Sequence, residues 1–297
     1  MIASILRRLQ IVKSKLTNEE YLKYSQWKDV AHEVCKYYGR SKSGLAANMR
    51  ITRTAEAAQV EIEGRSIYWP AHADVSRLVD MYFEVFHEGN NHYFDIPEMS
   101  VRPGDAVMDC GACEGYFTLK ALETGAARVY CIEPGDEIAR CLRKTFKKEI
   151  AGDRVSIHSC LLGERTERTV FYQHPGDPTI GRAGHAALEG TGHLSSTEVE
   201  MTTIDEFCGR FSMDKLDFVK ADVEGSEVGL VKGAEKTIRR FRPALAIAVY
   251  HAPENANRIV DFIKGLSLGY TIRVKGIVSF DNIPRPVMVH CYQARTE

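Results

Sequence analysis

Beyond about Pro103, short apolar runs alternate with segments whose apolar residues recur at helical spacing. Strands are predicted up to Asp109, over Arg128 to Ile132 with Glu133 at the end, and over Val155 to Leu162, Asp217 to Val223, Ala244 to Tyr250, Tyr270 to Val274 and Val287 to Gln293. Helices are predicted from Tyr116, over Ile138 to Phe146, Glu227 to Arg240 and Asn255 to Leu266. Such alternation predicts an α/β fold, a seven-stranded and mostly parallel sheet with helices on both faces. The N-terminal segment has another texture. Ile2, Ile5, Leu6, Leu9 and Val12 keep helical spacing, Tyr21 to Tyr38 continues amphipathically, and Gln59 to Tyr68 alternates like a hairpin with Gly64 near its turn. Residues 1–70 therefore read as a helical cap with a short hairpin, and residues 71–297 as the α/β domain, entered through a helix over Ser76 to His87. His174 to Glu198 is rich in Gly, His, Pro, Ser and Thr, so it reads as a lid or substrate loop. Its histidines, His174, His185 and His193, are irregularly spaced and read as solvated.

Charge and cysteine usage narrow the setting. Lys plus Arg number 39 against 40 for Asp plus Glu, so no global positive field draws in nucleic acid. No span is apolar and long enough to insert stably into a bilayer. The opening MIASILRRLQIVKSKL has basic residues inside its apolar pattern and does not read as a secretory signal. Arg7, Arg8, Lys13 and Lys15 there form an ordinary solvated face. Eight cysteines sit mostly within apolar segments, which suits reduced thiols in the cytoplasm.

In an open α/β sheet the ligand lies beyond the carboxyl ends of the strands, which gives weight to Asp109, Glu133, Ser159 with Cys160, Asp222 and His251. The most informative string is VMDCGACEGYFT, Val107 to Thr118: an acid ends an apolar run and two glycines, Gly111 and Gly115, follow. Those glycines let the backbone turn tightly and approach a ligand at the next helix. Glu133, one βαβ unit later, can accept the hydroxyls of a ribose. The loop lacks the middle glycine of a dinucleotide site, and Tyr116 and Phe117 stand where an ATP loop needs Lys and Ser or Thr. S-adenosylmethionine, with its ribose, adenine and zwitterionic tail, has the remaining shape. Cys110 and Cys113 form a CxxC at the same junction, so a redox module or a cofactor-binding module without methyl transfer is the alternative.

The chain from about Val107 to Pro243 resembles the FkbM family of methyltransferases, through DCGACEGYFT, YCIEP, MTTIDEF and above all DFVKADVEGSEVGLVKGAE. The resemblance implies a Rossmann-like class I methyltransferase fold, use of S-adenosylmethionine, and O-methylation of a hydroxyl on a sugar, polyketide or other natural product. It places Asp109, Gly111, Ala112 and Gly115 around the methionine portion, with Cys113, Tyr116 and Phe117 beside them. Glu133 and Pro134 fall at the ribose, Ser159, Cys160 and Leu161 at the adenine edge, and Asp222 at the amino group or the methyl.

The partner expected is a small hydroxylated acceptor, and a homo-oligomer is compatible with the chain. His251, ending the fifth strand, is the leading candidate base because an imidazole can titrate near working pH. Asp222 and Glu224 are the other catalytic candidates. Two carboxylates are an incomplete coordination shell, so no metal is expected.

Overall fold

The computed structural model describes residues 2–35, 39–87, 96–174, 176–183, 194–280 and 282–294. Seven strands form its central sheet: β1 (Ala106–Cys110), β2 (Arg128–Ile132), β3 (Val155–His158), β4 (Phe218–Ala221), β5 (Ala244–Ala248), β6 (Thr271–Phe280) and β7 (Ile283–Tyr292). Their order is β6-β7-β5-β4-β1-β2-β3. Neighbouring pairs from β3 to β5 run parallel, and β7 runs antiparallel to both β5 and β6. The chain winds outward in opposite directions from β1 and β4, which opens a crevice beyond their carboxyl ends.

Apolar residues of the strands point alternately to two cores, which is why the strands read as unbroken apolar runs. Val107, Val129 and Phe218 join one core, with residues of helices Arg77–Phe86, Tyr116–Glu123 and Asp136–Thr145. Met108, Ile132 and Val219 join the other, with helices Ile204–Arg210, Glu227–Lys232, Glu235–Phe241 and Asn255–Gly265. Thr203 starts the first of these helices by accepting from Glu206 N at 3.0 Å. Asp205, in the same MTTIDEF string, accepts from Lys236 N and Thr237 N and so fixes the start of Glu235–Phe241.

The N-terminal segment is bound to the sheet at two places. Ile11, Leu22 and Val30 pack against Ile277 of β6, and Gly276 N donates to Asp29 Oδ1 at 3.4 Å. Strands Arg50–Arg53, Ala57–Ile62 and Arg65–Pro70 form a small antiparallel sheet whose hairpin turns at Glu63 and Gly64, both with positive φ. Tyr68 N from that hairpin donates to Thr145 Oγ1 of helix Asp136–Thr145 at 2.8 Å.

Four expectations about elements differ from what the chain does. The strand over Val155 to Leu162 breaks after His158, and Leu161–Leu162 leaves the central sheet for a second, four-stranded one. That sheet also takes Glu167–His174, Asp177–Ala183 and Ser195–Thr202, so both ends of the expected lid are paired strands; His185 and His193 lie outside the described residues. The helix over Glu227 to Arg240 is two helices meeting at Gly233, where a Cβ would stand 2.1 Å from the Gly163 carbonyl oxygen. The closing strands are longer than expected, because the β6–β7 ladder runs on through Gly276, Pro284 and Pro286. Among the described residues no helix is long and apolar enough to cross a membrane.

Gly111, just after β1, has φ +74, and a Cβ there would stand 1.9 Å from the Asp222 carbonyl oxygen after β4. Gly104 has φ +86 but open space around it. Gly104→Ala should cost only the left-handed backbone penalty of about 1–2 kcal/mol. Gly111→Ala should cost about 1–3 kcal/mol beyond that, because two strand ends must separate. Urea unfolding of both variants checks the difference, and equal losses would refute the close approach.

Candidate active site

The floor of the crevice is a charged pair. Asp109 in β1 and Lys220 in β4 are register partners on one face of the sheet, with side chains 0% and 6% exposed, and Lys220 Nζ lies 3.1 Å from Asp109 Oδ1. Thr118, one turn into the following helix, donates from Oγ1 to Asp109 Oδ2 at 2.7 Å. Lys220 Nζ also donates to the Gly111 carbonyl at 2.5 Å. Burial would lower the Lys220 pKa, but Asp109, Asp222 and Glu114 outweigh it and hold the ammonium above its ordinary value. Asp109 was expected to frame the methionine portion. It stands instead beneath the glycine loop, fully buried, and acts on that loop through Lys220 and Thr118.

Above the floor lies a cavity of about 480 Å³, a volume suited to a nucleoside-sized ligand. At one end its wall is the glycine loop, where Gly111, Ala112, Cys113 and Glu114 border it, with Phe117, Glu133, Pro134, Cys160 and Leu161 beside them. Gly115, Tyr116 and Ser159 stand off the cavity. A Cβ at Gly115 would meet Phe146 at 2.8 Å, Tyr116 packs edge-on against Tyr82 in the core, and Ser159 Oγ accepts from Arg143. Glu133 is fixed from two sides: Cys113 N donates to Oε2 at 3.1 Å and Gly135 N to Oε1 at 2.8 Å. Burial raises its carboxyl to about 7, against the pull of both amides and Lys220. Burial likewise raises Glu114 to about 7.

The other end of the cavity is acidic and built on the DVEGSE turn. Asp222, Glu224 and Tyr250 border it, facing Arg77, Met81 and Glu84 of helix Arg77–Phe86 and Ile277 of β6. Tyr250 donates its hydroxyl to Asp222 at 3.1 Å. Glu227 is buried and closes the turn by accepting from Val223 N and Gly225 N, while Asn255 Nδ2 donates to its second oxygen. His251 follows β5 with its side chain 6% exposed, Nδ1 lying 2.8 Å from Glu227 Oε1, and Nε2 3.4 Å from Glu224 Oε2 and 3.6 Å from Asp222 Oδ1.

These neighbours stand against the expectation that His251 titrates near neutrality. Burial alone would lower the imidazole, but Glu224, Glu227 and Asp222 outweigh it and raise it to about 11. The three carboxylates thus favour the charged ring, which weighs against His251 as the group that takes a proton.

Lys220, Glu227, Tyr250, Arg77 and Glu84 were not foreseen as site residues. Lys220 carried a signal nonetheless: a lone lysine in the apolar string FVKA needs a counter-charge on a neighbouring strand, and Asp109 is the acid in the adjacent run. The CxxC reading loses its physical basis. Both thiols are free, and burial pushes Cys110 and Cys113 well above the ordinary value, with Asp109 and Glu114 adding to the effect, whereas a redox thiol is depressed.

An open sheet in this order, with its cavity over the carboxyl ends of β1, β2 and β4, is the Rossmann-like class I methyltransferase fold. A family model for the methyltransferase FkbM domain matches residues 109–272, more than half of the chain, and the chain belongs to that family. Among relatives, 2-O-methyltransferase NoeI of Sinorhizobium fredii is 24% identical over 156 residues, covering 48% of this chain and 62% of NoeI. The crystal structure of methyltransferase FkbM from Methylobacillus flagellatus KT superposes with a TM-score of 0.49 at 21% identity, covering 71% of this chain and 48% of that one. The chain thus spans less than two thirds of either protein's length.

Because the native pKa of Glu133 lies above the ordinary 4.5, the folded protein holds a proton that the unfolded chain releases between pH 4.5 and about 7. Its contribution to stability is therefore complete below pH 4.5 and is lost as pH rises through about 7. Relative to Glu133→Gln, the ligand-free wild type should lose on the order of 1–3 kcal/mol between pH 5 and 8. Chemical denaturation across that range tests the sign, and a difference that grows in favour of wild type refutes the burial argument.

Proposed function

We propose that the protein is an S-adenosylmethionine-dependent O-methyltransferase acting on a hydroxyl of a small molecule. One observation carries the reading: a single cavity joins the glycine loop and Glu133 at one end to Asp222 and Glu224, which His251 backs, at the other. The residues present fit the cofactor. A backbone loop at Gly111 to Glu114 borders the cavity, a held carboxylate at Glu133 suits ribose hydroxyls, and Cys160, Leu161 and Phe171 offer an apolar wall for a base. When bound, S-adenosylmethionine supplies a methyl group on a cationic sulfur.

The chain's own residues supply position and a proton acceptor. In-line transfer gains most from holding the acceptor oxygen behind the methyl, where alignment contributes roughly 7–11 kcal/mol. Helix Arg77–Phe86 and β6 wall the acceptor end, so Met81 and Ile277 set its shape and Arg77 and Glu84 its polarity. The acceptor proton goes to Asp222 or Glu224, the two carboxylates that border the cavity, since their charge favours a protonated His251. His251 holds the two carboxylates in place. The acceptor is a hydroxylated sugar, polyketide or similar metabolite, in keeping with the 2-O-methyltransferase name of the NoeI relative.

Calorimetry with S-adenosylmethionine and S-adenosylhomocysteine tests the cofactor: both should bind, Glu133→Ala should weaken them about 10–100-fold, and Cys110→Ala with Cys113→Ala should leave them nearly unchanged. Labelled-methyl turnover on a panel of hydroxylated metabolites tests the reaction. Glu224→Gln and Asp222→Asn should each lower the rate by about 10²–10⁴ if that carboxylate is the base. Absence of cofactor binding, or label appearing on nitrogen or carbon, sinks the proposal.

A further inference from the structure

Asp222, Glu224 and His251 each offer one ligand atom, and these atoms all lie within 4.8 Å of one another. Both ring nitrogens of His251 are buried and make no directed hydrogen bond among the described residues, and Nε2 faces the two carboxylates at 3.6 and 3.4 Å. Those separations exceed a good charge-assisted hydrogen bond. They match donors sharing an ion, since two ligands each about 2.1 Å from a metal at a roughly tetrahedral angle stand about 3.4 Å apart.

The surroundings are arranged for the same task. Glu227 Oε1 lies 2.8 Å from Nδ1 on the far side of the ring, and Glu227 is itself held by two backbone amides and Asn255. A carboxylate behind an imidazole fixes the tautomer and orientation of a ligating histidine. Sequence alone offered two carboxylates; the fold adds the third donor from the end of β5.

We propose that Asp222, Glu224 and His251 bind one divalent first-row transition cation, Mn²⁺ or Zn²⁺, leaving its remaining positions open to the cavity. One imidazole with two carboxylates suits these ions better than Mg²⁺ or Ca²⁺, which favour all-oxygen shells. The ion enters in exchange for the proton on Nε2. Resting on the methyltransferase reading, its role is to hold the acceptor oxygen and ease loss of its proton.

The test uses the full chain, stripped with a chelator and returned to chelator-free buffer, without cofactor or acceptor. Titration with Mn²⁺ followed by electron paramagnetic resonance, and with Zn²⁺ by calorimetry, should show one saturable ion per chain. Glu224→Gln is the decisive variant, because its side chain is partly exposed and its loss spares the core. It should weaken binding at least about tenfold and abolish the ion-dependent rise in melting temperature. His251→Gln should do the same if its unfolding transition remains cooperative. No saturable binding of either ion, or stoichiometric binding unchanged in Glu224→Gln, overturns the site. A protein that binds S-adenosylmethionine but neither ion overturns the cation site alone, and one that binds the ion but not the cofactor overturns only the methyltransferase reading.

Discussion

Lys220 and Asp109 meet at 3.1 Å in the floor of the sheet, where either charge alone would carry a desolvation cost of several kcal/mol. The pair persists because each partner has further work. Thr118 completes Asp109 from the next helix, and Lys220 spends a second donor on the Gly111 carbonyl. The glycine loop is thereby anchored from below by an ammonium, while its amides tie it to the neighbouring strand: Gly111 N and Ala112 N donate to the Ile132 carbonyl and Cys113 N to Glu133. Removing one partner strands the other charge, which accounts for an acid so far from solvent in a strand otherwise apolar.

Over that floor the cavity is acidic at both ends. Glu114 and Glu133 border the loop end, and Glu84, Asp222 and Glu224 the other, against Lys42, Arg77 and Lys220. Arg77 is engaged with Asp177 at 2.6 Å, and Lys42 with Asp80. An acidic cavity in a chain of net charge −1 is a local device rather than a reflection of composition, and it complements a ligand carrying positive charge, as a sulfonium does.

The inner strands β1, β4 and β5 were legible because both faces of the sheet are buried there, so each reads as an apolar run. The Glu63–Gly64 turn and the glycine loop were legible for the converse reason, since positive φ demands particular residues. The second sheet was not legible: Glu167–His174 and Ser195–Thr202 are polar and largely unburied, so their alternation buries little and leaves no apolar imprint. Direction was hidden as well. That Asp109 turns inward, and that His251 sits among three carboxylates rather than beside a free acceptor, depends on tertiary neighbours distant in the chain. Lys220, Glu227 and Asn255 are spread over three elements, and their convergence is a property of the parallel crossover connections.

The missing side chain at Gly111 lets the ends of β1 and β4 touch through bare backbone, with no cushion between the loop and the Asp222 carbonyl. Such a seam has no slack, so substitution can reshape the cavity only from the periphery. Helix Trp27–Cys35, helix Arg77–Phe86 and the β6–β7 hairpin all reach the cavity from outside that seam, through residues such as His32, Met81 and Val287. Those borrowed walls can therefore change in size and charge without disturbing the welded centre.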